Sequence, residues 1–185
     1  LFLDKLCYMN SIQIKDKSFN IFIQEAKILA RIQQMAHQIE AELKDKNPLF
    51  IAVLNGSFMF ASDLMKELNF LCEIQFVKVS SYHGTQSSGK VQEVFGLNQP
   101  IANRNIVIVE DIIDSGLTLH FLKEELQKQN PASIQICSLL LKPDALKVKL
   151  DVHFTGFEVT NEFLVGYGLD YDGLGRNLRH IYQLA

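Results

Sequence analysis

Between Ile23 and Leu43 the apolar residues Ile28, Leu29, Ile32, Met35, Ala36, Ile39 and Leu43 recur every three or four positions, the spacing of one face of an amphipathic helix. Asn47-Pro48 closes it, because the residue before a proline is driven out of the helical region. Leu49 to Leu54 is a continuous apolar run too short for a helix, so it reads as a strand buried on both faces, with Asn55-Gly56-Ser57 as its turn. Phe58, Phe60, Ala61, Leu64, Met65 and Leu68 return to helical spacing, and Ile74 to Val79 carries β-forming side chains. These segments make one β-α-β unit.

Residues 80–90, S-S-Y-H-G-T-Q-S-S-G-K, break all periodicity and read as a polar, mobile loop, with Val91 to Leu97 a weak strand after it. Ile106 to Val109 is the clearest buried strand of the chain. A helix follows over Leu117 to Gln129 and stops at Asn130-Pro131. Further strands are expected at Ile134 to Leu141, Val152 to Val159 and Phe163 to Leu169, and Arg179 to Leu184 closes the chain. Strands alternating with helices predict an α/β fold: a mostly parallel, twisted sheet flanked by helices, with its ligand crevice beyond the carboxyl ends of the strands.

At 185 residues one domain is expected. The 48% apolar content supplies a core for it, and 18 basic against 21 acidic residues leave a net charge of −3, with no global field to gather polyanions. Nucleic acid is thereby disfavoured as a partner. Cys7, Cys72 and Cys137 form no C-x-x-C pair and fit reduced thiols, and no apolar run approaches the roughly 20 residues of a membrane helix, so a cytoplasmic protein without a membrane partner is expected. The histidines show no metal or triad spacing and receive no catalytic role.

The chemistry concentrates where the strongest strand ends, in Val109-Glu110-Asp111-Ile112-Ile113-Asp114-Ser115-Gly116-Leu117-Thr118. Small and hydroxylated residues at the start of a helix gather free N–H groups and hydroxyls where the helix dipole favours negative charge, so a phosphate monoester fits at Ser115 to Thr118. No lysine follows Gly116, which removes the triphosphate-binding pattern G-x-x-x-x-G-K-[ST]. Glu110 and Asp111 beside such a site would repel a bare phosphate. They suit sugar hydroxyls or a hydrated Mg²⁺, and a ribose phosphate with bound metal satisfies both demands. Taken singly, these residues have a plainer reading, with Asp114 as a helix N-cap and the acidic pair as a solvated strand end.

The run V-E-D-I-I-D-S-G-L-T resembles the phosphoribosyl pyrophosphate (PRPP) signature of the purine phosphoribosyltransferase family, in its hypoxanthine-guanine version. Other segments agree in order, from about Pro48 to the C-terminus. Leu54-Asn55-Gly56-Ser57 resembles the family's pyrophosphate turn, Ser81-Tyr82 its mobile catalytic loop, Leu139 to Lys142 its purine-recognising strand end, and Phe163 to Tyr171 with Arg176 its C-terminal hood. The resemblance implies a type I phosphoribosyltransferase fold over residues 1–185, with a core of about 25–150, a hood from about 1–20 and 151–185, and a mobile loop of about 80–92. It implies a transferase that joins hypoxanthine or guanine to PRPP, gives IMP or GMP, needs Mg²⁺ and assembles as a homodimer or homotetramer.

By the same resemblance Glu110 and Asp111 engage the ribose hydroxyls and metal, while Asp114, Ser115, Gly116, Leu117 and Thr118 cradle the 5′-phosphate. Asp114 also faces the purine N7 as general base. Lys142 donates to the purine O6, Phe163 stacks on the ring, and Leu164 offers backbone groups to its edge. Asp170 helps hold Mg²⁺, and Arg176 with Asn55 and Gly56 binds pyrophosphate. Without the resemblance, Lys142 reads as an exposed strand end, Phe163 as core, Asp170 as a turn residue and Arg176 as an ion-pair partner. The chain departs from the family pattern at Asn55 and Leu117, where many relatives carry a cation, at Ser115, where Thr is commoner, and near Leu146, where some place an arginine. These changes shift the expected hold on PRPP toward Arg176 and Mg²⁺. Two other functions remain on this fold: a xanthine-preferring transferase, and a nucleotide-sensing, RNA-binding regulator.

Overall fold

The buried runs seen in the sequence sit side by side at the centre of the molecule. The computed structural model describes residues 11–83 and 90–185, with backbone alone at 80–83 and 90–93. Its elements are β1 (Ser11–Ile14), β2 (Lys17–Ile23), α1 (Glu25–Leu43), β3 (Leu49–Leu54), α2 (Phe58–Glu67), β4 (Glu73–His83), β5 (Lys90–Phe95), β6 (Asn105–Ile113), α3 (Leu117–Gln127), β7 (Ser133–Leu141), β8 (Phe154–Glu158), β9 (Leu164–Val165) and β10 (Ile181–Leu184). Cys7 and the first ten residues of the expected hood lie outside the described residues.

A six-stranded sheet runs in the order β5-β4-β3-β6-β7-β8, parallel from β4 to β8, with β5 antiparallel at one edge. Strand alternation sorts its side chains. Phe50, Ala52, Val107 and Val109 pack with α1 and α2 on one face. Leu49, Ile51, Ile106 and Ile108 pack with Leu119, Leu122 and Leu126 of α3 on the other. Both faces are covered, which is why β3 and β6 are near-continuous apolar runs. The chain leaves β3 for β4 on one side and later enters β6 on the other. The β3/β6 boundary is thus the topological switch point, where a crevice opens beyond the strand ends.

A second sheet, β1-β2-β10-β9, is antiparallel and brings residues 11–23 beside the end of the chain. Its core holds Phe19, Val165 and Tyr182.

Several expectations change. Ser80 to His83 extend β4 and pair with Lys90 to Glu93, so much of the expected loop is a two-stranded ribbon; residues 84–89 lie outside the described residues. Phe154–Glu158, assigned to the hood, pairs with β7 and extends the main sheet, because its register with Cys137 to Leu141 is set by the neighbouring parallel strand. The strand expected over Phe163 to Leu169 is only two residues long, since Gly166, Tyr167 and Gly168 all take positive φ and turn the chain away. The two hairpin strands within residues 11–23 have no counterpart in the periodicity reading. Leu29 and Phe58, counted on apolar helix faces, are exposed.

Candidate active site

Helix α3 begins at Gly116, whose φ of 76° and ψ of −7° place it in the left-handed region. That conformation and its surroundings demand glycine: an added Cβ would lie 2.7 Å from Leu150 Cδ1 and 3.1 Å from Leu146 Cδ2. No side chain caps the helix, so Asp114 is not its N-cap. The Ser115 hydroxyl accepts weakly from the Leu117 N–H at 3.4 Å. Asp114 to Thr118, with Glu110 and Ile112, line a cleft of about 150 Å³ except for the exposed Leu117. Ser115 and Thr118 bring two hydroxyls to its lining beside the first turn of α3, where uncapped N–H groups favour an anion.

Beside it lies a cleft of about 340 Å³, which shares Glu110, Ile112 and Thr118. It is bounded by Asn55 and Gly56 after β3, by Asp111, and by Leu164, Asp170 and Arg176 from the C-terminal segment. Strict alternation would put adjacent carboxylates on opposite faces of a strand. In β6 the alternation breaks at this pair: Val107 and Val109 face α1 and α2 and Ile108 faces α3, whereas beyond the pair Ile112 packs with the first group and Ile113 with the second. Glu110 and Asp111 consequently reach the same cleft.

Asp111 is 7% exposed. Gly56 lies against it so closely that a Cβ there would sit 1.7 Å from its Oδ2. The Leu54–Asn55 peptide bond in this turn is cis. Burial first, and the Asp111 carboxylate second, push Glu110 well above the ordinary carboxylate range, and its Oε2 is buried without a hydrogen-bond partner. An orphaned buried oxygen beside a second carboxylate fits a divalent cation. Among the described residues no three His, Cys, Asp or Glu side chains converge. A pair of carboxylates is a donor set of the kind Mg²⁺ takes, since that ion keeps several waters and draws its remaining ligands from substrate oxygens.

At the far end Arg176 donates to Asp170 Oδ1 at 2.5 Å and to the Gly168 carbonyl at 2.6 Å, and the Gly173 N–H donates to Asp170 Oδ2 at 2.7 Å. The plain readings of these two residues, turn and ion pair, are both true, yet the pair also forms a cleft wall. Each Asp170 oxygen keeps a lone pair.

Lys142 is buried, and its ammonium donates to Asp114 Oδ2 at 2.9 Å. Sequence reasoning named both residues without anticipating that they meet; one follows β6 and the other β7, so only the parallel pairing of those strands joins them. Two ammonium hydrogens remain for another acceptor. Phe163 is 43% exposed and meets Tyr171 edge-on at 5.8 Å, with Lys17 Nζ 5.6 Å from its ring centre. Neither Lys142 nor Phe163 lines the two clefts. The side chains of Ser81 and Tyr82 lie outside the described residues.

Sequence reasoning missed Tyr167, a buried phenol whose O–H donates to Asp63 Oδ2 of α2 at 2.5 Å. Burial, then Asp63, pushes this phenol above its ordinary value. The Gly-Tyr-Gly triplet around it was the available signal.

A family model described as "Phosphoribosyl transferase domain" matches residues 22–172, beginning upstream of Pro48 and taking in α1. The hypoxanthine-guanine phosphoribosyltransferase of Bacillus subtilis is 41% identical over 162 residues, 87% of this chain and 90% of that protein. The enzyme of the same name from Mycobacterium tuberculosis is 38% identical over 172 residues, 89% of this chain and 85% of that protein. A crystal structure of a hypoxanthine-guanine phosphoribosyltransferase from Bacillus anthracis, with a HEPES molecule in its active site, superposes with a TM-score of 0.80 at 37% identity, covering 90% of this chain and 96% of that one.

Proposed function

The chain belongs to the phosphoribosyl transferase family, and from that premise we propose that it is a purine-salvage enzyme joining hypoxanthine or guanine to PRPP, with release of pyrophosphate and formation of IMP or GMP. The observation that carries this reading is the pair of joined clefts at the β3/β6 switch point. There an acidic pair lies between an anion cradle at Gly116 and a wall of Asp170 and Arg176. One ribose phosphate diphosphate needs those three environments in that order.

In the proposed reaction the bond between purine N9 and ribose C1 forms as the bond from C1 to the pyrophosphate oxygen breaks, and the proton leaving the purine passes to Asp114. Asp114 is well suited to this work, being exposed on one side and held by Lys142 on the other. The two free ammonium hydrogens of Lys142 serve the purine O6. Glu110 and Asp111 hold the ribose hydroxyls and stabilise positive charge growing on the ring. Arg176, Asn55 and the Gly56 backbone receive pyrophosphate. Most of the rate enhancement then comes from holding nucleophile, ribose and leaving group in line. Mg²⁺ held by the Glu110–Asp111 pair, or at the pyrophosphate end by Asp170, would neutralise charge on the departing pyrophosphate. Phe163 stacks on the purine and Leu164 meets its edge.

The proposal extends to one domain over the whole chain, to a cytoplasmic location and to a homodimer or homotetramer. No described helix is long and apolar enough to cross a membrane.

The test is a spectrophotometric assay of hypoxanthine, guanine, xanthine and adenine with PRPP and Mg²⁺. Nucleotide should form from hypoxanthine and guanine and vanish in EDTA, and Asp114→Asn should lower kcat by about 10²- to 10⁴-fold. Faster turnover of xanthine would transfer the assignment to a xanthine-preferring enzyme. No turnover of any base, with retention of RNA on a filter, would replace it with the regulator.

A further inference from the structure

Two glycine-mediated close approaches stack the C-terminal segment, the Gly56 turn and Asp111 on one another at the leaving-group end of the cleft. Gly168 has a φ of 99°, and a Cβ on it would lie 2.1 Å from the Gly56 carbonyl oxygen. Gly56 in turn allows no Cβ against Asp111, as described above. Gly168 also exchanges hydrogen bonds with Arg176, its N–H donating to the Arg176 carbonyl at 2.9 Å and its own carbonyl accepting from the guanidinium at 2.6 Å. The position of Gly168 thus sets Arg176, the Asn55-Gly56 turn and Asp111 relative to one another.

Gly168 is anchored to the rest of the molecule by its neighbour. Tyr167 is 2% exposed and holds a φ of 50°, unusual for a residue with a Cβ. Its N–H donates to the Leu178 carbonyl at 2.8 Å, and its hydroxyl reaches Asp63 on α2, the helix that starts directly after the Gly56 turn. The second oxygen of Asp63 accepts from Lys66 at 2.6 Å. One hydrogen bond between residues 104 positions apart therefore fastens both sides of the Gly168/Gly56 contact to a single helix.

We propose that Tyr167 and Asp63 form a positioning pair for the pyrophosphate end of the site, holding the 166–170 turn on the Gly56 turn so that Arg176 and Asp170 face the leaving group. This rests on the transferase reading. Neither side chain touches substrate. The pair acts through Gly168.

Tyr167→Phe keeps the buried ring and deletes only the hydroxyl, so the variant folds. Losing one buried hydrogen bond should weaken the leaving-group end by about five-fold. Two readouts are taken. In steady-state kinetics, kcat/KM for PRPP falls about five-fold while KM for hypoxanthine at saturating PRPP moves less than two-fold. In calorimetry, the Kd for magnesium pyrophosphate rises by a similar factor. Asp63→Ala reproduces Tyr167→Phe, the double variant is no worse than either single one, and Asp63→Asn, which keeps an acceptor, stays within two-fold of wild type. Unchanged PRPP and pyrophosphate parameters in Tyr167→Phe overturn the proposal, as does an equal loss for both substrates, the mark of a purely structural role. A wild-type protein that binds pyrophosphate without making nucleotide sinks the transferase reading and leaves the calorimetric comparison to decide this one; a wild type that binds no pyrophosphate overturns both.

Discussion

Gly56→Ala is the sharpest test of how the acidic pair is held. The φ of Gly56 lies outside the left-handed region, so backbone strain does not oppose alanine there. The objection is contact alone: the new Cβ would lie 1.7 Å from Asp111 Oδ2 and 2.4 Å from its Cγ. Reaching ordinary van der Waals separation requires the Asp111 carboxylate to move by about 2 Å, and leaving its rotamer costs about 0.5–1.5 kcal/mol. In a chain of this size that lowers Tm by about 2–5 °C. A displacement near 1 Å at a reacting centre is worth about 10²-fold in rate. The expected outcome is a fall of about a hundredfold in kcat/KM for PRPP with only this modest loss of Tm, read from steady-state assays and a thermal melt. Adding Asp111→Ser to the variant removes the clash, so Tm should recover while activity does not. Activity within three-fold of wild type in Gly56→Ala would refute the argument, because it would mean that Asp111 works equally well from a displaced position.

Two further predictions address purine recognition and the fold. Lys142→Met deletes the charged donor but leaves an Asp114 carboxylate that is mostly exposed, so Tm should stay within about 3 °C while KM for the purine rises about ten-fold or more and KM for PRPP does not change; equal shifts in both KM values would argue against a purine-facing lysine. Arg31 on α1 donates to the Thr155 carbonyl at 2.6 Å and the Gly156 carbonyl at 2.8 Å, tying down β8 at the sheet edge, so Arg31→Met should cost about 2 kcal/mol, visible as a lower urea midpoint, with kcat and both KM values unaltered.

Much of this molecule was legible in its local patterns. The 3.6-residue spacing of Ile28, Ile32, Met35 and Ile39 located α1, and the apolar runs at Leu49 to Leu54 and Ile106 to Val109 located the two strands that flank the switch point. The run from Glu110 to Thr118 marked residues that line the two clefts, because acidic, hydroxylated and glycine positions fall together there where a buried strand gives way to a helix. Each of these signals is carried by neighbours within one turn or one strand, where periodicity and composition act directly.

What the tertiary structure decided are the relations between segments far apart in the chain. Residues 11–23 do carry a local signal, the alternation of Ile12 and Ile14 and of Phe19, Ile21 and Ile23 on either side of Asp16, which a reading for helical spacing passes over; what lay beyond any local window is that β2 pairs with β10, more than 150 residues later. Ser80 to His83 are polar enough to read as loop, yet their backbone pairs with the ribbon returning from Lys90. Lys142 meets Asp114 only because β6 and β7 run parallel and end together, and Tyr167 reaches Asp63 only because three consecutive positive φ values fold the C-terminal segment over α2. The chain by itself determined α1 to α3 and the central strands β3, β6 and β7, and it singled out the residues proposed for the chemistry, since those follow from local conformational preference and residue type. How the carboxylates and the arginine come to share a cleft, and how the lysine meets Asp114, depended on strand register and on which surface each glycine lies against, and both are set by packing between distant segments rather than by any local window of sequence.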